Sequence, residues 1–276
     1  MTPNHYEIGV GATAELSLRV SVATLVKVLF KNPSDGELML ALERKATLHE
    51  TENAHVIKIK SQPFGGAIHI LDLKPIHDLI GDFHFDSERS RTEQDFRLFI
   101  RPSAWAVLRE FCLQHIHRDD DPILETNPAR ELAEEFADAL EINLQREQYV
   151  CKPVATLVEN EASPTENIHA IGNPTVRIYR IFEATITDTS VARPIMKNSQ
   201  SLSHQGLQEQ AWEDFQNSGA GRANAALALP LQRLIDYYLG ISPHERNTPV
   251  VFEQNQLDET VPAVLEDVRV PKYQKM

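Results

Sequence analysis

Arg130, Glu131, Glu134 and Glu135 are concentrated in one short stretch, Ala129 to Leu140, which reads ARELAEEFADAL. The stretch is rich in helix-forming residues, Asn127 is placed to cap it, and Pro128 suits a first helical turn. At about 100° per residue, positions i, i+3 and i+4 share a helix face, so Glu131, Glu134 and Glu135 fall within an arc of about 100°. Like charges held so close repel, and a divalent cation reverses that sign. Hard oxygen donors suit Mg²⁺ or Mn²⁺, which retain several waters and share their other positions with substrate phosphates. A solvated Glu-rich helix presents the same face, with Arg130 then an internal ion-pair partner or plain surface charge.

Cations stand upstream. Arg44, Lys45, Lys58 and Lys60 precede Gly65-Gly66, the one adjacent pair among the 11 glycines of the chain. These basic groups either contact phosphates or face solvent on alternating strand positions. His115-Ile116-His117 followed by Asp119, Asp120 and Asp121 has metal-ligating side chains, but neighbours two apart on a helix diverge, so a solvated helix end is the expected reading. The P-loop, dinucleotide-binding and serine-hydrolase signatures GxxxxGK[ST], GxGxxG and GxSxG are missing from the sequence.

Those side chains need a frame, and 276 residues with 42% hydrophobic and 24% charged composition describe an ordinary globular protein with ample core. A net charge of -13 opposes binding to nucleic-acid polymers and anionic membranes, which depends on Lys and Arg displacing counterions; a small phosphorylated ligand is compatible with it. Cys112 and Cys151 lack zinc or redox spacing and read as reduced, semi-buried thiols. With no basic start leading into an apolar run, and no long apolar segment, a cytoplasmic location is expected. A homo-oligomer is compatible with the sequence.

The β-branched run Ser21 to Lys31, the turn Asn32-Pro33-Ser34-Asp35-Gly36 and the alternating run Glu37 to Arg44 predict a β-hairpin. Thr47 to His55 reads as irregular, and His55 to Ser61 (HVIKIKS) as a half-buried strand running into the glycine pair. A helix is predicted from Pro102 to about His117, while Gly81 to Arg97 carries no clear pattern. Tyr149 to Val158 and Thr175 to Thr187 read as strands, the first an edge or bulged strand because of Pro153. Thr189 to Leu207 reads as loop, Arg222 to Leu239 as a helix broken at Pro230 with Gly219-Ala220-Gly221 at its entry, and Asn247 to Met276 as a tail. The alternation of strands and helices predicts an α/β or α+β protein.

A hairpin ending Leu40-Ala41-Leu42-Glu43-Arg44, a strand running into Pro63-Phe64-Gly65-Gly66, a helix reading Arg130-Glu131-Leu132-Ala133-Glu134-Glu135 and two later strands occur in one order. That order resembles the Nudix hydrolase family, whose box ends in a helix reading R-E-U-x-E-E, with U an apolar residue. The first half of the box is not matched: Pro122 stands where its Glu belongs, and Ala137 replaces the glycine that follows the paired Glu. The resemblance implies an α/β/α sandwich on a mixed sheet, one enlarged domain over 1–276 with a core near 21–187, a helical insertion near 72–128 and a C-terminal extension near 188–276. It implies Mg²⁺- or Mn²⁺-dependent cleavage of the pyrophosphate link in a nucleoside diphosphate derivative. On the same basis Glu134 and Glu135 would be the main metal ligands, Glu131 a further ligand or an orienting group, and Arg130 a brace. Arg44, Lys58, Gly65 and Gly66 would contact substrate, and Glu159 would be a distal general base. The alternative is a non-catalytic ligand-sensing or scaffolding module on the same frame.

Overall fold

The computed structural model describes residues 17–50, 54–118, 120–163, 165, 170–201 and 203–232. In chain order the elements are β1 (Leu18–Lys31), β2 (Leu38–Glu50), β3 (His55–Gln62), α1 (Lys74–Ile80), β4 (His84–Phe85), α2 (Glu88–Glu93), β5 (Arg97–Ile100) and α3 (Trp105–His115). They continue with α4 (Ala129–Leu140), β6 (Tyr149–Ser163), β7 (Thr175–Ile186), α5 (Thr189–Ser201), α6 (His204–Ser218) and β8 (Arg222–Pro230). The protein is α/β with a mixed sheet. β1 and β7 pair in parallel: Arg19 N–H donates to the Pro174 carbonyl at 2.9 Å, and eight residues further along β1 Lys27 reaches Glu183 at 3.1 Å, at nearly the same sequence offset. β1 with β2 and β2 with β3 and β8 are antiparallel. Among the described residues no helix is long and apolar enough to cross a membrane.

The described residues fall into two compact units, one within 17–25, 66–128 and 154–181, the other within 26–65, 129–153 and 182–232. In the second unit the tip of the expected hairpin is closed by Asn32, whose carbonyl accepts from Gly36 N–H at 2.8 Å, and Val28 faces Ala41 in register. β2 runs past its expected end, because both of its edges are occupied there: Thr47 lies opposite Lys58 of β3 and opposite Arg222 of β8. The irregular reading of Thr47 to His55 is thereby corrected over Thr47–Glu50. Alternation gives β2 two faces. Met39, Ala41 and Glu43 point toward the cluster in which Leu132 and Phe136 of α4 meet Val191 and Ile195 of α5. Ala46 points the other way, against Leu207 and Ala211 of α6.

Two further expectations are overturned here. The Ser/Gln-rich Thr189 to Leu207 forms α5 and the start of α6, because Val191, Ala192 and Ile195 recur at helical spacing and are buried, while Ser203 caps α6 by accepting from Gly206 N–H at 3.0 Å. Arg222 to Pro230 is a strand paired with β2, with Ala225 and Ala226 buried and Ala223 and Ala228 partly buried, so tertiary pairing overrides their helix propensity. The stretch before it therefore enters a strand: Gly219 ends α6, and Gly221 (φ 63°) lies so close to β2 that a Cβ would meet Leu48 Cβ at 2.6 Å. Residues 233–276, with the end of the expected helix and the tail, lie outside the described residues.

The first unit holds the expected insertion, with α1, β4, α2, β5 and α3 around Phe96, Leu98, Ile100, Leu108 and Cys112. Cys112 is completely buried rather than half-buried, and burial pushes its thiol pKa up. His115 is likewise not a solvated helix end: it is buried, with Nδ1 2.8 Å from Asp121 Oδ2.

Candidate functional site

Glu135 is the second residue of the Glu pair and the one that α4 turns inward. Leu132, Phe136 and Ala139 bury the apolar stripe of the helix, and Glu135, beside that stripe, is carried into the protein with 7% exposure. The Gly65 N–H donates to its Oε2. Gly65 has φ 126°, a backbone conformation that side chains rarely allow, and this bend turns its N–H toward the helix. On β2, Lys45 Nζ lies 3.4 Å from Glu135 Oε1 and 2.7 Å from Glu43 Oε2. Glu43 is 0% exposed, accepts from Gln62 Nε2 at 2.9 Å, and comes within hydrogen-bonding reach of Glu135.

Two buried carboxyls thus share one ammonium, whose side chain is partly exposed. Burial, reinforced by repulsion from Glu43, drives the Glu135 pKa far above the carboxylate range, against the pull of Lys45 and the Gly65 N–H. Burial pushes Lys45 down, but Glu43 and Glu135 outweigh it and raise its pKa, so it stays charged. Glu43 Oε1 is buried without a hydrogen-bond partner.

Glu131 and Glu134 are arranged differently. Arg130 Nη2 donates to Glu131 Oε1 at 2.6 Å, and Nη1 donates to Glu134 Oε2 at 2.9 Å. The Glu134 side chain is 57% exposed. The shared face read from the sequence therefore splits: one member is buried at the glycine bend, and the other two are held by Arg130. Among the described residues no group of three or more His, Cys, Asp or Glu side chains converges as a metal site.

The basic residues also divide. Lys45 and Lys60 are directly opposite across β2 and β3, as are Thr47 and Lys58, so Lys58 and Lys60 stand exposed on the face that carries Lys45. Arg44 points to the opposite face, buried, with Nη2 3.4 Å from His204 Nδ1 of α6. Strand alternation thus removes Arg44 from the substrate-contact set. Gly66 and Glu159 belong to the first unit. The Gly66 carbonyl accepts from Thr24 N–H at 2.9 Å, and Glu159 Oε2 accepts from Arg177 Nη1 at 2.7 Å.

A cavity of about 660 Å³ opens in the second unit, lined by Asp138 and Glu141 of the α4 end, Asn198, Gln210, Arg222 and Asn224. Asn224 and Arg222 lie opposite Lys45 and Thr47 on β2, and Asp138 is three residues along α4 from Glu135, though Glu135 itself does not line the cavity. The volume is that of a small-molecule site. The sequence did not mark Glu43, Gln62 or the cavity. Glu43 left one trace, a charge directly after the apolar run Leu38 to Leu42 and in step with Met39 and Ala41.

Comparison with protein-family models, with curated proteins and with solved structures finds no match to this chain.

Proposed function

We propose that the second unit is a Nudix-type hydrolase site that cleaves the pyrophosphate link of a nucleoside diphosphate derivative with the help of Mg²⁺ or Mn²⁺. One observation carries the reading: the buried Glu135 carboxyl receives the N–H of Gly65, so the glycine bend and the acidic helix meet at one point. The layering supports it as well, since β2 is covered by α4 and α5 on one face and by α6 on the other, as in a Nudix-like α/β/α sandwich.

The donor set fits a hard dication. It offers carboxylate oxygens and backbone, and Glu43 Oε1 is a buried acceptor still lacking a partner. In this reading Glu135 would be the helix carboxylate that holds the metal, while Glu131 and Glu134 are engaged by Arg130. When bound, the metal would polarise the phosphoryl oxygens and acidify a water for attack on phosphorus. Arg130 keeps Glu131 and Glu134 oriented toward one another. Lys58 and Lys60 hold phosphate oxygens on the open face of β3. Gly65 lets the backbone approach the phosphates, and the polar cavity beside α4 receives the nucleoside or the group attached to it. Glu159 keeps Arg177 as its partner and has no role here.

The experiment is Mg²⁺-dependent release of a nucleoside monophosphate from nucleotide-sugar, dinucleotide and nucleoside triphosphate substrates. Glu135→Gln is expected to lower the rate by roughly a hundredfold or more. Unchanged hydrolysis by the Glu134→Gln, Glu135→Gln double variant would remove the mechanism. A second reading, a non-catalytic ligand-binding module, is favoured by Lys45, whose ammonium already lies between two carboxyls. Nucleotide binding without turnover or metal dependence would select it.

A further inference from the structure

Glu43 is out of place by every packing criterion. It follows Met39 and Ala41 on the inward face of β2, where an apolar side chain would complete the core. Instead a carboxylate with 0% exposure is seated there. Its Oε2 is satisfied by Lys45 at 2.7 Å and Gln62 at 2.9 Å, while Oε1 is buried with no hydrogen-bond partner, and the same Lys45 ammonium lies 3.4 Å from the second carboxyl, Glu135. A buried acceptor left in that state costs roughly 1–3 kcal/mol. Local rules of folding are broken in this way where a function requires it.

We propose that Glu43 and Glu135 are the two protein carboxylates of a divalent-cation site, and that the Lys45 ammonium occupies the cation's position until the metal displaces it. Glu43 is thereby a metal ligand that lies on the sheet, outside the acidic helix. This rests on the hydrolase reading above and assigns its metal more narrowly. The chemistry of the pair selects the ion. Both ligands are hard oxygens from one fully and one nearly fully buried residue, with the glycine bend beside them, and Mg²⁺ or Mn²⁺ typically takes one or two carboxylates and completes its shell with water and phosphate. Lys45 is suited to leave. It is a point charge on a flexible stem, 36% exposed, so it can swing toward solvent without disturbing the strand. A dication between two carboxylates also neutralises them more fully than one ammonium does.

The test is binding of Mn²⁺, followed by its electron paramagnetic resonance signal, to the full chain and to Glu43→Gln, Lys45→Gln and Glu134→Gln. Glu43→Gln is expected to weaken Mn²⁺ binding by at least about tenfold, since even partners outside the coordination sphere are worth that much. Lys45→Gln is expected to tighten binding about tenfold, as the competing cation is gone. Because Lys45 is partly exposed, that variant decides the matter if Glu43→Gln fails to fold: unchanged or weaker Mn²⁺ binding would overturn the proposal. Wild-type Mn²⁺ affinity in Glu43→Gln together with its loss in Glu134→Gln would also overturn it, while leaving the hydrolase reading intact. Loss of Mn²⁺ binding in Glu43→Gln, in a protein that hydrolyses none of the phosphoanhydrides, would keep this cation site and sink the hydrolase.

Discussion

Buried charge is handled in opposite ways in the two units. In the first, Arg19 places Nε and Nη2 on Asp86 Oδ2 at 2.9 and 2.7 Å, and Ser90 and Ser87 hydroxyls complete Oδ1. Asp121 is equally complete, with His115 on one oxygen and the Ile123 and Leu124 N–H groups on the other. Burial alone would raise its pKa, but those hydrogen bonds hold it below the ordinary value. In the second unit Glu43 and Glu135 share one lysine, one oxygen has no donor, and the Glu135 pKa moves up rather than down. A closed network specifies structure, whereas an open one leaves room for a proton or a cation from outside.

The contrast implies that removing a partner is most costly where the network is closed. Arg19→Ala strands the Asp86 carboxylate in the interior and is expected to destabilise the protein by about 3–5 kcal/mol in urea denaturation. The open network shows itself in pH dependence instead. A carboxyl whose folded pKa is raised contributes stability that is complete below its unfolded value, near 4.5, and is lost as pH climbs through its folded value, about 9. Unfolding free energy is therefore expected to fall across that window, by about 2 kcal/mol or more, and Glu135→Gln to flatten the slope. Gly65→Ala forces a side chain into the φ 126° bend and shifts the N–H that meets Glu135, an expected loss of about 1–3 kcal/mol in the same assay. The smallest effect has the opposite sign: Glu141, at φ 57° just beyond α4, is expected to gain about 1 kcal/mol when replaced by glycine.

The elements at the heart of the site were legible because each has a strong local signal. Ala129–Leu140 combines helix propensity with a buried stripe of Leu132, Phe136 and Ala139, and the hairpin has a turn that Asn32 closes. What was not legible depends on partners distant in sequence. Arg222–Pro230 is an alanine-rich segment whose strand form comes from pairing with β2, and the extension of β2 comes from β3 and β8. In the site, helical spacing placed Glu131, Glu134 and Glu135 on one arc, but the boundary between buried and exposed runs through that arc, which only packing decides. Arg44 and Lys45 are neighbours in sequence and sit on opposite sheet faces, a separation that appears once strand register is known. Glu43 carried too weak a mark to be singled out, although it is the residue that makes the buried cluster unusual.

The most direct test of the site as a cation centre is thermal unfolding of the full chain with and without millimolar Mg²⁺ or Mn²⁺. A ligand that prefers the folded state stabilises it by mass action, about 2.7 kcal/mol at a hundred times its dissociation constant. The melting temperature is expected to rise with either metal in the wild-type chain and to stay in place in Glu135→Gln. A wild-type melting temperature indifferent to both metals, or a rise that survives intact in Glu135→Gln, would contradict a dication held at the glycine bend.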